Sequence, residues 1–234
     1  MKKLRILSIL LLAIIMVAGC KKKDETPIVD ATTEEAASIM ATSLCTGNAG
    51  TMTQVEDAVE LSQRASLKST LYDSSFTISS ASGATITYQY QVNYSYGFLN
   101  PTNYQLAYDA NGTYNSPNVN ASVTADGQLN VTGFLGGDYY FVNGQSGRAG
   151  TFNMKIGNQT SMTGTVTSTL VNFKLNKTTL LLESGTATIV VSGNTSTGRS
   201  FAFTGSLVYT GNYTGTLTIS GKEYFISLTT GTVQ

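Results

Sequence analysis

The sequence predicts a mainly β protein: a large curved antiparallel meander of about ten or eleven strands, an open or half barrel, with a short N-terminal α-hairpin packed on it. Three observations indicate this fold. Residues 31–72 show the apolar spacing of helices, residues 73–234 alternate apolar and polar residues, and short turn-like segments separate the alternating runs. No helical run interrupts the second region, so neighbouring strands should pair antiparallel. We therefore expect residues 31–234 to form one folding unit.

The first 19 residues have the pattern of a bacterial secretory signal peptide. Lys2, Lys3 and Arg5 give a positive start, and the apolar run that follows over residues 6–17 is too short for a spanning helix. The run ends in Val17-Ala18-Gly19-Cys20, which resembles the lipobox of bacterial lipoproteins. The resemblance implies that Cys20 becomes the mature N-terminus and carries acyl chains, two of which already hold a protein stably on a membrane.

Residues 20–30 are expected to form a lipidated tether. Lys21, directly after Cys20, does not match the acidic residue that retains lipoproteins in the inner membrane. Lys23-Asp24-Glu25 is similar to the export tag of surface lipoproteins in the Bacteroidota. We therefore expect a lipid-anchored protein of the outer membrane, on its external or its periplasmic face.

Composition excludes several classes of protein. The chain has 234 residues, no His, no Trp and only 12% charged residues. Without His there are no imidazole metal sites and no Ser–His or Cys–His nucleophile pairs. Removal of the signal peptide takes away three of the 14 basic residues and none of the 14 acidic ones, which leaves a net charge of −3 and argues against nucleic-acid binding. We expect no cofactor and no metal.

Two short helices are predicted after the tether. The first begins at a capping box formed by Thr32 and Glu35 and ends before Gly47; its apolar face comprises Ala36, Ile39, Met40 and Leu44. The second begins at a similar box formed by Thr53 and Glu56; its stripe comprises Val55, Ala58, Val59, Ser62 and Ala65. Neither helix is long enough to persist alone, so both should pack on the sheet.

The strands are predicted from period-two alternation. Residues 86–98 form a long strand with four tyrosines on one face, and a loop at Pro101 leads to the next strand. Turn chemistry predicts hairpin turns at Asn111-Gly112, at 125–127, and at 136–138. The loop at 125–127 would place Val123 opposite Leu129.

Two further features concern register. A turn at Gly221-Lys222 would place Ile219 opposite Tyr224. The apolar phase slips near Leu170-Val171, which predicts a bulge or a sharp bend.

The tyrosines are the one unusual group, and they allow two interpretations. They can pack within the sheet, or they can form a ligand surface for a glycan or a lipid, because tyrosine combines apolar area with a polar tip. The candidates on the predicted tyrosine rows are Tyr88, Tyr90, Tyr94, Tyr96, Tyr104 and Tyr108.

Catalytic chemistry is not indicated. The chain has no Ser-x-x-Lys, phosphate-loop or dinucleotide motif, and Cys45 is predicted to be a small core residue. A glycan hydrolase would need two carboxyl groups about 5–9.5 Å apart in a cleft. The acids considered for it, those of residues 74–234, are Asp109, Asp126, Asp138, Glu183 and Glu223.

Three stretches together resemble a group of uncharacterised lipoproteins of the Bacteroidota. The first is the helical hairpin, whose two helices begin with acidic residues. The second is the run Met162-Thr163-Gly164-Thr165-Val166-Thr167 with Leu170-Val171-Asn172-Phe173, and the third is the run from Ser184-Gly185-Thr186 through Phe203-Thr204-Gly205. The likeness spans most of the mature chain and implies no activity and no functional residue.

The expected function is that of a non-enzymatic, membrane-anchored envelope lipoprotein with a binding or structural role. Two alternatives remain open. A cupped sheet with helices inside resembles the half barrel of lipoprotein carriers such as the Lol-type chaperone and its mycobacterial lipid-binding relatives, and such a carrier would need a lipid-sized apolar cavity. A surface glycan-binding module would instead expose its tyrosine rows.

Overall fold

The computed structural model describes residues 30–65 and 70–234. The predicted signal peptide, the lipobox with Cys20 and most of the tether lie outside the described residues. Two α-helices, α1 (Thr33–Leu44) and α2 (Thr51–Arg64), are joined by a short 3₁₀ turn at Thr46–Asn48. Ten strands follow: β1 (Tyr72–Ser79), β2 (Thr87–Asn100), β3 (Asn103–Asn115), β4 (Val119–Thr132), β5 (Tyr139–Met154), β6 (Ser161–Asn176), β7 (Leu182–Thr195), β8 (Ser200–Gly211), β9 (Thr214–Ile219) and β10 (Lys222–Ser227).

The strands form a single antiparallel sheet in chain order, so the predicted meander with a helical hairpin packed on it is confirmed. The sheet is not closed into a barrel, and β1 and β10 are its two edges. The last residues of the chain cover the β10 edge: Gln234 N–H donates to the Phe225 carbonyl at 2.9 Å, and Ser227 N–H donates to Thr232 at 3.0 Å. In the described part of the chain, no segment pairs with β1 on its outer side.

Helix α1 fills the concave side of the sheet. It contacts strands β4 to β10, whereas α2 contacts β2 to β5. Every α1 residue from 35 to 44 is buried, including the positions opposite the predicted apolar face, such as Ser38 and Ala41. The expected amphipathic helix is therefore an all-round buried one, which its small side chains allow because they let strands approach from every direction.

The start of α1 is as predicted, and the start of α2 is not. Thr32 caps α1 and forms the full capping box with Glu35. Helix α2 begins at Thr51 with Gly50 as its N-cap, three residues before the predicted N-cap Thr53. Thr53 lies in the first turn, where its hydroxyl donates to the Thr46 carbonyl at 3.3 Å instead of capping the helix.

Two predicted hairpin turns are wrong, because the strands run through them. Gly112 lies within β3 and Gly127 within β4. A Cβ atom on Gly112 would lie 2.1 Å from the Gln89 carbonyl oxygen and 2.5 Å from Cδ1 of Tyr90, and one on Gly127 would lie 2.5 Å from Cε1 of Tyr108. Gly112 therefore permits a close approach of the β2 backbone and the Tyr90 ring, and Gly127 makes room for the Tyr108 ring. The real β3–β4 connection follows Ser116, whose N–H donates to the Val119 carbonyl at 2.8 Å.

The predicted C-terminal register is wrong by two residues. Ile219 lies opposite Lys222, and Leu217 lies opposite Tyr224. The connecting residues are Ser220 and Gly221, both with positive φ, 51° and 80°. A shift of two keeps every side chain on its predicted face, so the hydrophobic pattern could not distinguish the two registers.

The predicted bulge in β6 is confirmed. The pairing with β7 shifts between Val171 and Lys174, and Asn172 has a φ of 51°. Its N–H donates to the Asn143 side chain at 2.8 Å. The extra residue explains why the apolar phase slips at this point, since Leu170 and Phe173 both remain buried.

Candidate functional site

The six candidate tyrosines lie on β2 and β3 and point to the concave side. Four of them are buried, namely Tyr90, Tyr94, Tyr104 and Tyr108, and the other two, Tyr88 and Tyr96, are half-buried. Their rings contact other aromatic rings, as in the edge-on pairs of Phe98 with Tyr104 and of Phe76 with Tyr94. Most of their surface therefore serves packing. Tyr108 lies at shallow grooves on the other face of the sheet, and Tyr88 and Tyr94 also line a groove between α2 and β1.

That groove, which we call the edge groove, runs between α2 and the inner side of the edge strand β1. Its volume is about 330 Å³. The residues that matter below are Asp57, Glu60 and Leu61 of α2, Phe76 and Ile78 of β1, and Tyr88 of β2. It is open because β1 is the last strand on this side and its inward side chains are only half-buried.

Apolar and acidic groups meet in the edge groove. The Tyr94 hydroxyl donates to Asp57 Oδ2 at 2.6 Å and lies 2.5 Å from Gln54 Oε1. Glu60 pairs with Arg64 on the exposed side of α2. The neighbouring Glu56 accepts a hydrogen bond from the Tyr213 hydroxyl.

Burial raises the pKa of two of these carboxyl groups. For Asp57 the hydrogen bond from Tyr94 lowers the pKa, but burial outweighs it, and the nearby charge of Glu60 raises the pKa further. Burial likewise raises the pKa of Glu56, against the hydrogen bond from Tyr213. Of these two, only Asp57 lines the edge groove, so the groove holds one carboxyl group that loses its proton at a higher pH than an ordinary carboxyl group.

Asp57→Asn tests this shift. Because the pKa of Asp57 is higher in the folded chain than its ordinary value of 3.8, the folded state binds more protons between the two values, and stability falls as pH rises through that window. Asn removes this loss and still accepts from Tyr94. We expect the free energy of unfolding of Asp57→Asn, relative to the wild type, to increase as pH rises above 3.8. Urea unfolding over a pH series measures it, and a difference that does not vary with pH would contradict it.

A second unusual group is the buried Arg148 on the inner side of β5. Its Nη2 donates to the Ala49 carbonyl at 2.7 Å, and its Nη1 donates to the Tyr90 hydroxyl at 3.2 Å. The guanidinium also lies over the rings of Tyr90 and Tyr114, 5.6 and 5.8 Å from their centroids. Within the described residues it forms no ion pair with a carboxylate. A void of about 10 Å³ lies beside it, the size of one water.

Arg148→Met measures the net contribution of this buried charge to the free energy of unfolding. Met leaves the Ala49 carbonyl and the Tyr90 hydroxyl without their donor, a loss of about 1–3 kcal/mol each. It also removes an unpaired buried charge, whose desolvation costs several kcal/mol. We expect the two to cancel, so that the free energy of unfolding stays within about 1 kcal/mol of the wild type in urea titrations. A loss above about 3 kcal/mol would contradict this expectation, because the lost hydrogen bonds would then outweigh the relief of desolvation.

The acidic residues of the β region do not converge as a group. Asp109 and Asp126 are direct cross-strand partners on the solvent-facing side of β3 and β4, where Asn93 donates to Asp109 at 2.9 Å. Asp138 lies in the β4–β5 loop, and Glu183 lies 3.8 Å from Lys174 on another part of the sheet. Among the described residues, no three His, Cys, Asp or Glu side chains are grouped as metal ligands.

Two larger, shallow grooves of about 620 and 490 Å³ lie on the outer face of the sheet. Asp126 lines the first of them and Asp109 lines the second. Short polar side chains such as Thr167, Gln128 and Asn93 line them.

Sequence reasoning missed both the edge groove and Arg148. Arg148 could have been found from the sequence, because the alternation along the strand places it on the same inward face as Phe152 and Met154. The groove was not, since it depends on where α2 lies across the end of the sheet. Cys45 is buried, as predicted, and burial raises the pKa of its thiol to about 11.

Comparison with known proteins gives no match: no family model, no curated protein and no solved structure matches this chain. In the part of the chain that the structure describes, neither helix has the length and apolar character needed to cross a bilayer.

Proposed function

We propose that this chain is a lipid-anchored protein of the bacterial envelope with a binding role, not a catalytic one, and that it binds at the edge groove. The observation that carries the proposal is the groove itself. There, apolar side chains, protonatable carboxyl groups and an unpaired sheet edge meet at one concave surface.

The anchor is proposed from the lipobox at Cys20, and the outer membrane from the Lys23-Asp24-Glu25 segment. The similarity to lipoproteins of the Bacteroidota agrees with both. The folded body begins near Asp30, which pairs with Arg199 at 2.8 Å, so a tether of about ten residues would separate it from the membrane.

The two alternatives have less support. A lipid carrier needs a large apolar cavity, whereas α1 occupies the concave side and the void beside Arg148 is about 10 Å³. A glycan-binding face needs exposed aromatic rings, whereas four of the six candidate tyrosines are buried.

The anchor is tested by Cys20→Ala, with Cys45→Ala as the matched control at the other cysteine. Cells grown with radiolabelled palmitate are fractionated. We expect the wild type and Cys45→Ala to be labelled and to sediment with membranes, and Cys20→Ala to be unlabelled. A labelled Cys20→Ala protein, or an unlabelled wild type, would contradict the proposal.

A further inference from the structure

Among residues 30–65 and 70–234, no strand pairs with the outer side of β1, so its outward backbone hydrogen-bonding groups face no other strand there. Ser80 N–H donates to the Tyr88 carbonyl at 3.0 Å, and this pair continues the β1–β2 register. In an antiparallel pair, alternate residues point their N–H and C=O groups to the same neighbour. The residues with the parity of Ser80, such as Phe76 and Ile78, therefore bond to β2. The backbone groups of Asp73, Ser75, Thr77 and Ser79 point away from the sheet.

The sequence of β1 has one charged residue, Asp73, near its beginning and no other feature that blocks an edge. Natural edge strands are commonly protected by charged side chains, especially Lys, by Pro or by a bulge. Strand β1 contains no Lys, no Arg and no Pro, and its register with β2 is continuous from Tyr72 to Ser79. At the opposite edge the chain covers β10 with its own C-terminal residues, through backbone bonds between Phe225 and Gln234. Within the part of the chain that the structure describes, the fold therefore covers one edge with an extended segment and leaves the other open.

The edge groove lies on the inner side of this open edge. A strand added beside β1 would direct alternate side chains into it, next to Ser74, Phe76 and Ile78. The Phe76–Ile78 end is apolar, with Leu61 and Tyr88 nearby. The Ser74 end carries a net negative charge. Ser74 lies opposite Tyr94, whose hydroxyl binds Asp57, and Glu60 follows on α2, where it pairs with Arg64 of the same groove. Two carboxyl groups against one guanidinium leave an excess of one acidic group.

We propose that β1 receives an extended segment of a partner protein as an eleventh strand, with two alternate apolar side chains beside Phe76 and Ile78 and a basic side chain beside Ser74. The proposal rests on the binding role proposed above and specifies its ligand. Main-chain bonds to the free groups of residues 73–79 supply affinity, and the groove selects the side chains. The acidic residues on α2 attract the basic one.

The test uses the mature chain from residue 20 with Cys20→Ala, so its outcome is independent of the anchor. A phage-displayed library of random heptapeptides is selected on this protein. We expect enrichment of peptides with a basic residue followed at every second position by two apolar residues, or the reverse order. Selection on Glu60→Lys should replace the basic residue with an acidic one, since that variant reverses the charge at the groove.

Binding of the enriched peptides is then compared in two matched variants. Thr77→Pro removes one outward N–H and no backbone bond to β2, while Thr77→Val keeps the N–H. Both variants lose the hydrogen bond from the Thr77 hydroxyl to Gln91 Oε1 of β2 at 2.8 Å, so this loss does not distinguish them. We expect the proline variant to bind about tenfold or more weakly and the valine variant to bind like the wild type. Thermal unfolding checks that the proline variant is folded, and Ser75→Pro makes the same test if it is not.

Three outcomes would overturn the proposal. They are no enriched motif, equal binding to the proline and valine variants, and self-association of the wild type that Thr77→Pro abolishes. The last would make a second copy of the chain the occupant of the edge. Each leaves the palmitate-labelling result on Cys20 standing.

Discussion

Ala41→Lys is expected to abolish folding, the largest effect of any substitution considered for this protein. Ala41 has no exposed surface, although it lies on the side of α1 opposite the apolar face read from the sequence. A lysine there would bury an ammonium group against the sheet without an acidic partner. Burial of an unpaired charge costs several kcal/mol, comparable with the whole stability of a domain, about 5–15 kcal/mol.

The matched control is Gln63→Lys on the exposed side of α2. It introduces the same side chain into a helix at a solvated position, so we expect a change within about 0.5 kcal/mol. Circular dichroism and the yield of soluble protein distinguish the two. If Ala41→Lys folded as well as Gln63→Lys, α1 would lie on the surface of the sheet and the concave side would not be filled.

Glu35→Ala is expected to destabilise the protein by about 3–4 kcal/mol, through hydrogen bonds rather than packing. The buried Glu35 carboxylate accepts from the backbone N–H groups of Thr32 and Thr160, each at 3.0 Å, and from the Thr160 hydroxyl at 3.2 Å. It therefore closes the capping box of α1 and also joins the helix to the β5–β6 connection. Alanine leaves both N–H groups without an acceptor.

Glu34→Ala is the control for this prediction. Glu34 is exposed and pairs with Lys222 at 2.5 Å, and exposed ion pairs contribute about 0–1 kcal/mol. Urea unfolding of both variants at neutral pH measures the difference. Equal losses for Glu34→Ala and Glu35→Ala would contradict the prediction. They would mean that the capping box and the link to Thr160 together contribute no more than an exposed ion pair.

The fold class was predictable because period two and period 3.6 are local properties of the sequence. The long alternating run through Tyr88 and Tyr94, the capping box at Thr32 and the bulge near Val171 all follow from neighbouring residues. The errors arose where a local signal had a tertiary cause. Gly112 and Gly127 have the sequence of turn residues, yet Gly127 leaves space for the Tyr108 ring and Gly112 for the Gln89 carbonyl and the Tyr90 ring.

The site was less predictable than the fold. The sequence correctly placed the tyrosines on one face of the sheet, but the exposure of that face to solvent depended on where the helices lie. The full burial of α1 explains why most of the rings are in the core. The edge groove combines residues from α2, β1 and β2 that no spacing in the sequence links. The open β1 edge follows from strand order alone, which only the folded chain defines.

The central claim is that the protein fills its own concave side with α1 and binds at its edge. Native mass spectrometry of the mature chain with Cys20→Ala, purified from the periplasm without detergent, tests it most directly. We predict a mass equal to that of the polypeptide alone. A stoichiometric phospholipid or acyl adduct that survives purification would contradict the claim, because it would require an apolar cavity that α1 leaves no room for.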